Sequence, residues 1–180
     1  MPPSDETLLV EQAKTDDNAF TKLYESYLPR IYGYIFKRVG NNADAEELTS
    51  QTFLKMVENL KAFKGEYFKS WLYRIATNTI IDYYRTHRTH EPIEEHVDLH
   101  DQTSGPAEST IQTQTKEEIL AVLAMLPEKY QKVLHLKYFS DLSNSEMAAS
   151  LEIKENNLGV LLHRALKSFQ KFYNRGNPTH

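Results

Sequence analysis

Asp44-Ala45-Glu46-Glu47-Leu48-Thr49-Ser50-Gln51-Thr52-Phe53-Leu54, continued by Lys55-Met56-Val57-Glu58-Asn59-Leu60, returns an apolar side chain at helical spacing through Leu48, Phe53, Met56, Val57 and Leu60. Asp44, just before Ala45-Glu46-Glu47, is expected to open this helix, since carboxylates complement the free N–H groups of a first turn. Upstream, Asp16 or Asp17 caps a longer helix carrying Phe20, Leu23, Tyr24, Tyr27, Leu28, Ile31, Ile35 and Val39 on its apolar side. Pro29 should kink or break that helix, and Gly40 ends it. Ser4 caps a first helix reaching about Lys14. Downstream, Lys64-Gly65-Glu66 is a loop, and a fourth helix from about Phe68 to Thr86 turns Trp71, Leu72, Ile75, Ile80 and Ile81 inward.

From about His87 to Gln112 the periodicity fails: Pro92, Gly105 and Pro106 stand among acids, Ser, Thr and Gln. Beyond it Ile119, Leu120, Val122, Leu123 and Leu126 form a fifth helix, and Pro127 takes the first-turn position of a sixth that runs to about Tyr138. Ser143-Asn144-Ser145-Glu146 is a capping box that starts a short seventh helix ending near Leu151. A tight turn through Glu152-Ile153-Lys154 leads into an eighth helix from about Glu155 to Tyr173, stopped by Gly176 and Pro178. The last two make a helix-turn-helix candidate. With no run of strict apolar alternation, the expected fold is all-α: two small helical domains, residues 1–90 and 113–180, joined by a flexible acidic linker at 91–112.

The 180-residue chain holds no cysteine, which removes disulfides, thiolate nucleophiles and every cysteine-ligated metal site. It lacks a run of about 18 apolar residues, and Met1-Pro2-Pro3-Ser4-Asp5-Glu6 has neither the basic start nor the apolar stretch of a signal peptide. The expected location is therefore cytoplasmic, without direct membrane insertion. A formal net charge of −4 argues against coating nucleic acid through bulk charge, yet basic residues gather locally in Arg74, Arg85 and Arg88, and in Arg164, Lys167, Lys171 and Arg175. His96 and His100 with Asp98 and Asp101 imitate a metal-ligand set, but their polar, proline-containing surroundings lack the rigidity a metal site needs. Asp82, His135 and His163 are conceivable acid–base groups. No nucleophile with its base, phosphate-binding glycine loop or paired carboxylates accompanies them, so no catalytic role, metal or cofactor is expected.

Several stretches, in order, resemble one family. Ala19-Phe20-Thr21-Lys22-Leu23-Tyr24 through Tyr27-Leu28-Pro29-Arg30-Ile31-Tyr32, then Asp44 to Leu54, then Trp71-Leu72-Tyr73-Arg74-Ile75-Ala76-Thr77-Asn78 and Ile81-Asp82-Tyr83-Tyr84-Arg85, are similar to the first domain of the extracytoplasmic-function (ECF) branch of the sigma-70 family of RNA polymerase sigma factors. Leu126-Pro127 and Leu162-His163-Arg164-Ala165 resemble its second domain. The resemblance implies a sigma2-like helical bundle and a sigma4-like helix-turn-helix domain. It also implies a chain that binds core polymerase, recognises promoter DNA, promotes strand opening and directs initiation. The expected partners are the clamp helices of the polymerase's largest subunit, promoter DNA and an anti-sigma factor.

Carried over residue by residue, the core-polymerase contact falls on Asp44, Glu47, Leu48, Gln51, Thr52 and Leu54, although acids in a first turn also serve the helix dipole alone. The family's minus-ten pocket falls on the aromatic-flanked loop Lys64, Gly65, Glu66 and Tyr67, since a base taken from the stack needs faces to rest on. Arg74, Asn78, Thr79, Arg85 and Arg88 add phosphate-binding cations and groups able to read base edges. Trp71, Tyr73 and Tyr84 are assigned to packing. In the eighth helix Lys154, Asn156, Asn157, His163, Arg164 and Lys167 are the minus-thirty-five candidates. Gly159-Val160-Leu161 departs from the family, which commonly carries Lys, Ser and Arg there. Such a departure reduces the cations on the helix, whereas the glycine permits a close backbone approach to DNA. The rival reading is a stand-alone helix-turn-helix regulator whose first domain senses a ligand or dimerises.

Overall fold

The computed structural model describes residues 5–65, 67–88 and 118–176, with the side chains of residues 87, 88 and 176 excepted. Its helices are α1 (Asp5–Ala13), α2 (Asp17–Val39), α3 (Asn42–Leu60), α4 (Phe68–Arg88), α5 (residues 118–125), α6 (Glu128–Phe139), α7 (Asn144–Ser150) and α8 (Glu155–Gly176). No strand occurs among the described residues. The expected linker, the four His and Asp residues within it, the Ser4 cap and Pro178 lie outside them.

Asp16 opens α2 by accepting from the Asn18 N–H at 2.9 Å. Gly40 closes it in the left-handed region, φ 81°, with its N–H donating to the Phe36 carbonyl at 2.9 Å. The helix is not broken at Pro29. Pro29 and Glu25, whose carbonyl the ring deprives of a partner, are both exposed, so water can serve that carbonyl. α3 begins ahead of Asp44: the Asn41 side chain is the cap and accepts from the Asp44 N–H at 2.8 Å. The Asp44 carboxylate instead receives Asn41 Nδ2 and the Tyr83 hydroxyl, each at 2.6 Å, and so ties the start of α3 to the last turns of α4.

Helices α1 to α4 enclose a core in which Leu23, Ile31, Ile35, Leu48, Met56, Leu72 and Ile80 are fully buried. One polar path crosses it. Thr77 Oγ1 donates to the Tyr73 carbonyl at 2.7 Å, so its single proton is spent and Tyr34 must donate to it across 2.8 Å. Burial raises the Tyr34 phenol's pKa, keeping that donor proton in place.

The second group packs against the first, α6 and α7 on α4 and α6 also on α2. In α6 the four successive residues Val133, Leu134, His135 and Leu136 are all buried. At about 100° per residue they face nearly every direction, so α6 is covered on both sides, by α7 and α8 and by the first group. Both halves of the capping box form on α7: Ser143 Oγ accepts from the Glu146 N–H at 3.3 Å, and the Ser143 N–H donates to Glu146 Oε2 at 2.7 Å. The turn that follows holds Glu152 at φ 55°, a left-handed conformation for a side-chain-bearing residue.

Ser143→Ala should cost about 1 kcal/mol through loss of the cap. For a chain of this size that is a fall of about 2–4 °C in Tm, read by calorimetry, with no change in the denaturant m-value.

Candidate nucleic-acid interface

Helix α3 offers one outward stripe at i, i+4, i+7 and i+11, through Glu47, Gln51, Leu54 and Glu58. Gln51 Nε2 donates to Glu47 Oε1 at 2.7 Å, and beside them Leu54 and Val57 are 60% and 50% exposed. The remaining predicted contacts on this helix are engaged within the fold. Leu48 and Thr52 are buried, with the Thr52 hydroxyl donating to the Leu48 carbonyl at 2.7 Å, and Asp44 is committed to Asn41 and Tyr83. These three shape and hold the helix. Glu47, Gln51 and Leu54 are the ones within reach of a partner.

The loop before α4 is built on stacked rings. Phe63 lies 4.8 Å from Trp71 and 5.8 Å from Phe68, centroid to centroid. Lys14, in the turn after α1, anchors the Phe63 carbonyl at 2.7 Å, and a Cβ on Gly65 would stand 3.0 Å from the Phe63 ring, so only glycine lets the backbone lie so close. Tyr67 is 53% exposed. Together Phe63, Gly65, Tyr67, Trp71 and Arg74 line a cavity of about 360 Å³. Ser70, absent from the sequence-based set, lines it too: its hydroxyl is buried and has no partner among the described residues. Nothing in the sequence distinguishes Ser70 from an ordinary polar spacer. Only the cavity reveals it. Trp71, expected in the core, is half-buried and serves both core and cavity.

Further along α4, Asn78 is half-buried, whereas Thr79 is buried and its hydroxyl receives Lys55 Nζ at 3.2 Å, which takes it off the surface. Arg85 is exposed and pairs with Asp82 at 2.8 Å. Tyr73 and Tyr84 pack as expected, the first donating to Asp141 Oδ1 at 2.8 Å and the second to the Arg38 carbonyl at 2.8 Å. Arg74 is ion-paired with Glu152 in the turn between α7 and α8. Glu66 and the Arg88 side chain lie outside the described residues.

The helix-turn-helix is complete in α7 and α8. All six of its predicted contacts, Lys154, Asn156, Asn157, His163, Arg164 and Lys167, are exposed. Asn156, Val160, His163 and Lys167 fall in one outward stripe, and a Cβ on Gly159 would meet nothing within 4 Å. Gly159 therefore satisfies no packing need among the described residues.

Known proteins carry the same two parts in the same order. The Sigma-70 region 2 family matches residues 23–90, and the Sigma-70 region 4 family matches residues 116–169. RNA polymerase sigma factor YlaC of Bacillus subtilis is 31% identical over 83% of this chain and 88% of its own length. The ECF RNA polymerase sigma factor BldN of Streptomyces coelicolor is 30% identical over 91% of this chain, the match spanning 64% of BldN. The chain belongs to the ECF branch of the sigma-70 family. Among solved structures, the sigma factor RpoE of Bartonella quintana, crystallised with the anti-sigma factor NepR, has the same fold, with TM-score 0.55 at 20% identity over 85% of this chain and 95% of that one. A stand-alone regulator would leave the region 2 match unexplained, so this ECF sigma factor is read as an initiation subunit. Among the described residues no helix is long and apolar enough to cross a membrane.

Because Gly159 faces open space in mid-helix, Gly159→Ala should raise stability by about 0.5–1 kcal/mol in urea titrations. Gly159→Lys should also steepen the salt dependence of DNA binding by about one phosphate contact, measured as the slope of log K against log salt.

Proposed function

We propose that this ECF sigma factor binds core polymerase through the outward stripe of α3, holds an unstacked minus-ten base in the cavity before α4, and reads the minus-thirty-five element with α8. The observation that carries the reading is the cavity. It combines aromatic faces in Tyr67 and Trp71, a cation at Arg74 and, at Ser70, a buried hydroxyl without a partner among the described residues. An unpaired base presents the matching surfaces: a π-face to stack, a hydrogen-bonding edge, and a phosphate on either side. Asn78 and Arg85 continue the polar surface along α4 toward the next nucleotides.

On the α3 stripe, two exposed apolar side chains flanked by Glu47, Gln51 and Glu58 suit a partner helix with an apolar ridge and basic rim, the role the family gives to the clamp helices of the largest subunit. In this reading residues 1–90 form the sigma2-like domain, 91–112 the acidic linker and 113–180 the sigma4-like domain. The chain acts in the cytoplasm, performs no catalysis and needs no cofactor. An anti-sigma factor would control it, as NepR binds RpoE.

Arg74→Ala and Asn78→Ala should each reduce promoter opening about tenfold while leaving core binding unchanged, as one lost charge-assisted or bidentate contact entails. Permanganate reactivity of promoter thymines measures it, and an undiminished bubble would refute the assignment. Leu54→Glu should do the converse. It places an uncompensated carboxylate in a desolvated contact and should weaken core binding at least about tenfold in a pull-down without DNA, with the fold intact because the residue is exposed.

A further inference from the structure

The two helical groups meet on the face of α4 assigned to DNA. Arg74 pairs with Glu152, and Ala149 of α7 borders the cavity that holds Ser70. At the rim, Asp141 in the loop between α6 and α7 is a clasp: its Oδ1 receives the Tyr73 hydroxyl at 2.8 Å, its carbonyl receives Lys69 Nζ at 3.0 Å, and its Oδ2 lies 3.4 Å from the same ammonium. Lys69 also lies 3.6 Å from Glu146 of α7. Inside the seam the chemistry is unfavourable. Arg38 of α2 is 2% exposed and stacks at 5.6 Å over Phe139 of α6, and among the described residues neither its Nε nor its Nη1 has a hydrogen-bond partner. Beside Phe139 stands His135, 1% exposed, with Nδ1 likewise unpartnered. A guanidinium faced only by a ring on that side and an imidazole nitrogen without a partner are held dry only while the groups stay together.

We propose that the second helical group is a built-in shield over the DNA-facing side of α4, and that protonation of His135 against Arg38 releases it. The shield rests on the promoter reading of α4; the release does not. Burial lowers the guanidinium's pKa to about 10, so it stays charged at neutral pH. Burial first, and the Arg38 charge second, push the imidazole well below 6.5. The other groups near this seam offer no compensation. Tyr34 on α2 and Tyr84 on α4 are phenols that burial keeps protonated, and Arg85 of α4 acts on Glu128 at the far end of α6. From α7 and α8, no charged group acts on His135 among the described residues.

The direction follows from linkage. Below pH 6.5 only the opened chain takes up the proton, so the closed form loses ground by about tenfold per pH unit until its own lower pKa is reached. Asp141 cannot be the sensor. Burial raises its pKa, but the Tyr73 hydroxyl and Lys69 outweigh that and hold the carboxyl below 3.8, so the clasp fails only in stronger acid.

The absence of cysteine permits a clean test on the full chain: Glu58→Cys in α3 and Lys171→Cys in α8, both exposed, take a donor and an acceptor dye. Energy transfer should fall between about pH 7.5 and about pH 5.5 with an approximately tenfold shift in the open-to-closed ratio, circular dichroism remaining constant. His135→Phe should stay closed at both values. Asp141→Ala, a surface change, should start more open and keep the acid response. Transfer independent of pH, or a His135→Phe chain that follows the parent, overturns the switch. Neither readout involves polymerase or DNA, so failure of the promoter reading leaves this result standing. With core enzyme and a forked promoter duplex, Asp141→Ala should bind more tightly than the parent at neutral pH, and equal affinity overturns the shield.

Discussion

A chain of three hydrogen bonds runs from Tyr34 of α2 to Thr77 of α4, back to the Tyr73 carbonyl one turn earlier, and out through the Tyr73 hydroxyl to Asp141. Apolar packing presses α4 against α2 and α3, but packing alone tolerates small slips along a helix. Buried hydroxyls do not, because each lost partner leaves a desolvated polar atom. The thread therefore fixes how α4 is rotated. That rotation decides that Trp71, Arg74 and Asn78 look outward while Leu72, Ala76 and Ile80 look in. Burial raises the pKa of both phenols, so the donors that define the register persist across the physiological range.

From that registration the cavity follows. Trp71 meets Phe63 because α4 presents it at the loop, and Gly65 lets the loop close over the ring. Ser70, one residue earlier, lines the same cavity, where its hydroxyl finds no partner among the described residues. A polar atom left alone in a buried place is a cost the fold does not need for its own stability, which is what makes the site read as a place awaiting a ligand.

How much was legible in advance depended on whether a residue's role was set locally. The capping box at Ser143 and Glu146, the left-handed Gly40 and the buried Leu48, Phe53, Met56, Leu72 and Ile80 of α3 and α4 needed only neighbouring residues to be read and stand as expected, whereas Val57 is exposed and Trp71 only half-buried. Pro29 does not break α2, and whether a helical proline breaks its helix depends on whether the orphaned carbonyl reaches water, a tertiary fact. The start of α3 moved because Asn41 and Asp44 are both competent caps, and Tyr83, distant in sequence, claims the Asp44 carboxylate. Thr52 and Thr79 carry polar letters but spend their hydroxyls inside, on a carbonyl and on a lysine. A polar residue on a helix announces an outward face only when nothing within the fold can satisfy it, and no periodicity reports that.

Glu152 holds a left-handed backbone that a glycine would occupy freely, at about 1 kcal/mol for a residue with a side chain. That conformation turns α8 away from α7, and the carboxylate it carries reaches Arg74. One residue thus couples the geometry of the helix-turn-helix to the occupancy of an arginine distant in sequence. Any drift at this position would have to trade a relaxed bend against a severed electrostatic link, so the two halves of the molecule share a single point of negotiation.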